Sequence, residues 1–306
     1  MFISIVMPTY KSSKFIEKTI NELYNFIIKK NFAKFEIIII SDSGEYKTWE
    51  LIKKLKEKYK FIRAFQLYKN FGQHYANHIG FIKSRGDFII TMDDDGQNPP
   101  DQIIKLIKAQ KNTEADLVVG VYQKKKHSFK RRLGSILMNK IIKFIFKSPK
   151  NFRSSNFRLL SRKVVDRIVN SNPSFPYTTG QAILFSNIKI NISVTHREGF
   201  RDKSSYGIYS LFSLAWNSIT NYSNLPMRYL SFVGILLSIA SFSVFFIIIM
   251  LSLFIGTSTP GWASICCLIS IMSSMQFLLI SILCEYFYKH TVSSKHNFEN
   301  AINDQF

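Results

Sequence analysis

Between Met92 and Pro100 the chain reads MDDDGQNPP, and the spacing inside that stretch carries chemical information. Asp93 and Asp95 are one residue apart, so in an extended segment their side chains point the same way. Two carboxylates on one side, with the amide oxygen of Gln97, make an all-oxygen ligand set for a hard cation. Mg²⁺ or Mn²⁺ suits such a set, with the remaining positions left to water and substrate phosphates. A cation there supports departure of a diphosphate, whose developing charge it neutralises. Asp94 faces away in that geometry and is read as structural. An arbitrary acidic triplet is more often a solvated turn, so the elements around this one decide.

Those elements alternate. Phe2–Met7, Phe35–Ile40, Ile62–Leu67, Phe88–Met92 and Leu117–Val119 read as strands. Lys14–Ile28, Trp49–Leu55, Gln73–Ser84 and Gln102–Gln110 have helical spacing. Strands alternating with helices imply an α/β, Rossmann-like domain with a mostly parallel sheet covered on both faces. Ligands of such sheets bind at the carboxyl ends of the strands, and both Asp42 and the acidic triplet fall on that rim. No G-x-G-x-x-G follows the first strand and no G-x-x-x-x-G-K-[ST] occurs, which removes the main support for dinucleotide or P-loop chemistry.

The chain has 306 residues and a formal net charge of +21, an excess that implies an anionic partner. The N-terminus is apolar without leading positive charges and reads as a first strand, not a signal peptide. The three cysteines (Cys266, Cys267, Cys284) fit neither a disulfide framework nor a zinc site, and a reducing compartment suits them. Composition changes near Arg228. Tyr229–Ile255 and Ala263–Cys284 carry no charged residue, and each exceeds the roughly 20 residues that cross a bilayer core. They read as a two-helix transmembrane hairpin. Arg228 before it and Lys289 and Lys295 after it put both ends in the cytoplasm by the positive-inside rule. The stretch Gln123–Lys147 pairs lysines with a helical stripe (Leu133, Ile136, Leu137, Ile141, Phe144), so it reads as an interfacial element on anionic lipid and not as a nucleic-acid site. The organisation expected is a cytoplasmic catalytic domain over 1–200, a juxtamembrane segment over 201–227, the hairpin over 228–288 and a cytoplasmic tail over 289–306, in an integral protein of the cytoplasmic membrane.

The segment MDDDGQNPP resembles the D-x-D-x-Q-x-P-P of the family 2 polyprenyl-phosphate glycosyltransferases, enzymes similar to dolichyl-phosphate mannose synthase and bactoprenol glucosyltransferases. Six further stretches resemble that family in its order: IVMPTY, EIIIISDSG, KNFGQHYANHIGF, NFRLLSR, HREGFRDKSSY and TNYSNLPMRY. The resemblance implies a GT-A fold and inverting, metal-dependent transfer of a sugar from a nucleotide-diphosphate sugar, foremost a UDP-sugar, to polyprenyl phosphate at the cytoplasmic face. It implies Asp93, Asp95, Arg158 and Arg197 as catalytic residues. It places Pro8, Tyr10, Asp42, Asn70, Gly72 and Asp93 at the nucleotide sugar, with Asp42 on the nucleobase. It places Arg158, Arg162, Arg197, Ser204 and Tyr206 at the acceptor phosphate, and Asp93, Asp95 and Gln97 at Mg²⁺ or Mn²⁺. An assembly of identical copies is compatible with it. The chain departs from the pattern at Ser41 (usually Asp), at Ser43-Gly44 (inverted order), at Asn156 (often Asp) and at Ser205 (often Lys). Asn156 argues against a protein base there, and a phosphate acceptor needs none, because its second pKa is about 6. Two rivals remain: a processive polysaccharide synthase, weakened by the absence of Q-x-x-R-W, and an inactive membrane scaffold that keeps the fold.

Overall fold

The computed structural model describes residues 1–30, 34–42, 44–122, 143–195, 197, 208–223 and 302–305, with single or paired positions between 254 and 286. They fall into two units, Met1–Ala215 with His296–Phe306, and Trp216–Lys295. In the first unit, strands β1 (Ile3–Thr9), β2 (Phe35–Ser41), β3 (Ile62–Leu67), β4 (Phe88–Thr91) and β5 (Leu117–Val121) alternate with helices α1 (Ile16–Lys29), α2 (Tyr46–Lys58), α3 (Gln73–Lys83) and α4 (Gln102–Thr113). Then follow β6 (Arg158–Ser161), α5 (Arg162–Asn170), α6 (Thr178–Phe185), β7 (Lys189–Ser193), α7 (Ile208–Tyr222) and β8 (Ile302–Gln305). The division between the units falls within α7.

The strands form one eight-stranded sheet in the order β7-β5-β6-β4-β1-β2-β3-β8. β1 pairs in parallel with β2 and β4, β2 with β3, and β5 with β7. β6 is antiparallel to both β4 and β5, and β8 is antiparallel to β3. The expected mostly parallel sheet is therefore present, with β6 inserted between the fourth and fifth strands.

Both faces of the sheet are covered, which is why its central strands read as unbroken apolar runs. All seven residues of β1 are buried. On one side Ile5, Met7, Ile37 and Ile39 join a core with Ile16, Ile20 and Leu23 of α1 and with Trp49 and Ile52 of α2. On the other, α3 approaches so closely that a Cβ at Gly80 would overlap Val6 Cγ1. Pro8, inside β1, has an instructive place. The β1–β4 ladder ends at Val6–Thr91, while β1–β2 pairing continues to Thr9–Ser41. The proline thus sits where no β4 partner asks for its missing N–H. The chain departs to β2 and β3 on one side of β1 and to β4 on the other, so the topological switch point, where sheets of this kind place their ligand crevice, falls between the ends of β1 and β4.

Among the described residues no helix is long and apolar enough to cross a membrane. The two uncharged runs lie almost wholly outside those residues, as do Gln123–Ile142 of the basic stretch. In the second unit, the last turn of α7 is tied by side-chain bonds to its own backbone, Thr220 Oγ1 to Trp216 O (2.9 Å) and Asn221 Nδ2 to Asn217 O (2.8 Å).

Candidate active site

Each strand of the parallel set delivers one loop to the crevice. β2 ends in Asp42, which is 4% exposed. Its Oδ1 accepts the Phe71 N–H and its Oδ2 the Gly72 N–H, each at 2.7 Å. Burial pushes the Asp42 carboxyl up, and these two N–H groups pull it back. Asp42 thereby holds the loop after β3 in a form that needs glycine: Gly72 has φ +92° and caps the start of α3. Tyr10, after β1, is hydrogen-bonded to Asn70 in the same loop, which lowers its pKa. The structure thus gathers Pro8, Tyr10, Asp42, Asn70 and Gly72 at one end of the crevice. Ser41 is 3% exposed and pairs with Thr9 at the end of β1.

At the other end, β4 delivers the acidic triplet. Asp94 accepts Ser12 Oγ, and its backbone oxygen accepts Thr19 Oγ1 of α1 at 3.0 Å. Asp93 Oδ1 accepts two amide donors, Gln73 Nε2 at 2.5 Å and Asn156 Nδ2 at 2.7 Å. Asp95 is 8% exposed, and its Oδ1 accepts the backbone N–H of Gln97 at 3.0 Å across Gly96, whose φ of +69° permits the tight turn. Among the described residues no basic side chain lies within salt-bridge distance of Asp95. A buried carboxylate without a counter-charge is unfavourable. A hard cation offsets that, and the oxygen donors of Asp93, Asp95 and Gln97 fit one that keeps water and phosphate ligands. They are two carboxylates only; no cluster of three or more His, Cys, Asp or Glu suited to a metal occurs among the described residues.

The arginines separate. Arg158 opens β6 opposite Thr91 and Val119, and so reaches the crevice rim. It is 1% exposed, and its guanidinium donates to Thr179 Oγ1 (2.9 Å) and Thr178 Oγ1 (3.3 Å). Burial lowers its pKa to about 10, with Tyr177 and Asp93 opposing. The position is enclosed, with threonine hydroxyls as its hydrogen-bond partners; the acceptor-phosphate role expected from sequence would have to be met from there. Arg162 is at the wrong end. β6 runs antiparallel to β4, so four residues after Arg158 the chain has reached the opposite rim, where Arg162 donates to Gly86 O (2.6 and 2.9 Å) and pairs with Asp166 (3.6 Å). Arg197 stays near the acidic loop: its backbone N–H donates to Gln97 O (3.2 Å), while its exposed side chain pairs with Glu22 (2.9 Å). Ser204 and Tyr206 lie outside the described residues, as does Ser205.

Three site residues were not read from sequence as such. Gln73 and Asn156 hold Asp93. Tyr122, just past β5, donates to Asn98 Oδ1, and its hydroxyl pKa is raised by burial and then by Asp93 and Asp95. The rim rule that found Asp42 applies equally to the end of β5 and would have found Tyr122. His74 bonds Thr178 Oγ1 at 3.2 Å, and burial followed by Arg158 lowers its pKa to about 3. His78 is buried and its pKa falls to about 4. Both are neutral and outside the crevice chemistry, in line with a structural role.

A sequence model of a known family, described as glycosyl transferase family 2, matches residues 4–169, more than half of the chain. The chain belongs to glycosyl transferase family 2. The glycosyltransferase also resembles solved structures. S. aureus TarS 1–349 is 17% identical with a TM-score of 0.45, over 64% of this chain and 59% of that one, so the chain spans less than two thirds of it. Glucosyl-3-phosphoglycerate synthase from Mycobacterium tuberculosis, in complex with Mn²⁺ and UDP-glucose, is 14% identical with a TM-score of 0.49, over 72% and 77%. The mannosyltransferase PcManGT from Pyrobaculum calidifontis, in complex with GDP-Man and Mn²⁺, is 13% identical with a TM-score of 0.48, over 94% and 87%.

Proposed function

We propose that this glycosyltransferase moves a sugar from a nucleotide-diphosphate sugar, foremost a UDP-sugar, to polyprenyl phosphate at the cytoplasmic face of the membrane, with inversion. The observation that carries the donor half is the pairing of two loops across one crevice. Asp42 fixes Phe71–Gly72 at one end, and Asp93 and Asp95 stand at the other. The first suits a nucleobase, the second a diphosphate. Mg²⁺ or Mn²⁺ held by Asp93, Asp95 and Gln97 would neutralise charge on the leaving diphosphate. The acceptor phosphate oxygen forms the new bond to the anomeric carbon as the bond to the nucleoside diphosphate breaks.

The acceptor half is supported by position 156. Relatives often carry an acid there, whereas the Asn156 amide is bonded to Asp93 and cannot accept a proton from an alcohol. A phosphate monoester ionises with a pKa near 6 and needs positive groups to hold it. Arg197, beside Gln97, is the described candidate. The membrane assignment has support from β8. Residues 302–305 belong to the same unit as β1–β3, so a chain that enters a membrane after that unit returns after an even number of crossings. Two uncharged runs supply two.

The test is incubation of membranes with a panel of nucleotide sugars and undecaprenyl phosphate, followed by mass identification of the lipid. A single glycosyl-phosphate lipid, lost with chelator and restored by Mn²⁺ or Mg²⁺, is expected. A growing polymer made without lipid phosphate would point to a processive synthase, and no product from any donor to an inactive scaffold.

A further inference from the structure

We propose that Gln73 and Asn156 are positioning residues whose side-chain amides form a two-armed clamp fixing Asp93 for a divalent cation. The inference rests on the functional reading above and deepens it. Both arms meet the same oxygen, Asp93 Oδ1, at 2.5 Å from Gln73 and 2.7 Å from Asn156. Two donors on one oxygen set the plane of the carboxylate, and Oδ2 is the oxygen the clamp does not engage.

Each arm is itself held. The Asn156 Oδ1 accepts Asn77 Nδ2 at 2.9 Å, which turns the NH₂ end toward Asp93. The Asn156 backbone oxygen accepts Thr91 Oγ1, from the last residue of β4. Gln73 is the first residue of α3, directly after Gly72, whose N–H is bonded to Asp42. The clamp therefore ties α3, β4 and the entry to β6 to one carboxylate. It also links the loop assigned to the nucleobase with the loop assigned to the diphosphate.

The neutrality of the arms matters. A carboxylate at position 156 would face Asp93 at hydrogen-bond distance, and two like charges that close need a proton or a cation between them. A lysine would orient Asp93 but compete with the cation for it. Amide NH₂ groups orient the carboxylate and leave its charge intact. Partners that orient a metal's ligands in this way typically contribute 10–100-fold to metal affinity.

The experiment uses the full chain in detergent, with Mn²⁺ binding read from the electron paramagnetic resonance of free Mn²⁺, in the presence of UDP and in parallel GDP. Asn156→Leu and Gln73→Met keep approximate volume and remove the donors. Each is expected to weaken Mn²⁺ binding roughly 10–100-fold, with UDP binding in chelator and the thermal midpoint of Gln73→Met close to wild type. Gln73→Met leaves the Asn77–Asn156 bond intact, so the proposal stays testable where Asn156→Leu folds poorly. Wild-type Mn²⁺ affinity in a folded Gln73→Met protein would overturn the clamp and leave the functional reading standing. A wild-type chain that binds no Mn²⁺ with either nucleotide would overturn that reading itself.

Discussion

Asp42 is bonded through both carboxylate oxygens to backbone N–H groups, yet each oxygen retains a second lone pair, so the residue can shape its loop and meet a nucleobase together. The nucleobase contact proposed for it would be similar in ground and transition states, so its loss would raise KM more than it lowers kcat. Asp42→Ala also removes two charge-assisted acceptors worth about 1–3 kcal/mol. We therefore expect the donor KM to rise by about tenfold or more, read from initial rates at saturating acceptor. An unchanged KM with a collapsed kcat would move Asp42 into the chemistry. His78 gives a prediction in pH. The unfolded imidazole takes its proton near 6.5 and the buried one only near about 4. The stabilisation is complete above 6.5 and lost as pH falls toward 4, by about 1.4 kcal/mol per pH unit across that interval. His78→Gln should flatten the acid side of a urea-midpoint against pH curve; an unchanged slope would place the acid sensitivity elsewhere. The position of Asp93 and Asp95 just past β4 was legible because the alternation of strands and helices puts that triplet at the carboxyl end of a strand. Gln73 and Asn156 were not, because nothing in their own spacing tells that α3 and the entry to β6 meet at one carboxylate.

At the scale of elements, the alternation of β-branched runs and amphipathic segments was readable from β1 to β5, and observed ends differ from expected ones by only a few residues. α2 runs over Tyr46–Lys58 and not only its apolar middle, because polar flanks carry helical hydrogen bonds without an apolar signature. β6 was missed as a strand: its four residues, inserted between β4 and β5 with the first three buried, show no alternation. That omission also misplaced Arg162, since only the antiparallel direction of β6 shows that Arg158 and Arg162 lie at opposite rims. The close approach of α3 to β1 is testable. A methyl at Gly80 gains up to about 1 kcal/mol in helix propensity, but it overlaps Val6, whose β-branched side chain is stiff at χ1. Overpacking of this kind typically costs about 1–3 kcal/mol, so Gly80→Ala should be net destabilising. Thermal unfolding should show a lower midpoint, and Val6→Ala in the same chain should restore part of it. A midpoint raised by Gly80→Ala alone would mean that α3 can shift away from the sheet freely.

At the scale of the whole chain, the strand formed by residues 302–305 is what composition did not announce, since INDQ carries no strand pattern. Its role comes from what it covers. β3 would otherwise be an open edge, with a row of unpaired N–H and C=O groups that invites pairing with another chain. β8 pairs Gln66 with Asp304 and Leu67 with Ile302, and Trp49 Nε1 of α2 donates to Asp304 Oδ2 at 3.2 Å. This pairing ends one residue before Tyr68, where the loop held by Asp42 begins. The strand therefore lies beside the loop that Asp42 holds, although more than a hundred residues, including both uncharged runs, separate it from β7. Directly opposed residues of an antiparallel pair have Cβ atoms about 4.5–5.5 Å apart, within the reach of a disulfide after small adjustment. With Cys266, Cys267 and Cys284 replaced, Gln66→Cys together with Asp304→Cys should cross-link on mild oxidation of membranes. The product should migrate as a single chain without reductant and resist thiol labelling. If the proposed hairpin forms, a single cysteine at Ser258, between the two runs, should instead react with an impermeant thiol reagent added to intact cells, because two crossings would place that loop outside and return residue 304 inside. Cross-linked dimers would mean that the strand is exchanged between copies. Labelling of a cysteine at 304 from outside intact cells would require an odd number of crossings, and would be incompatible with β8 lying on the same sheet as β3.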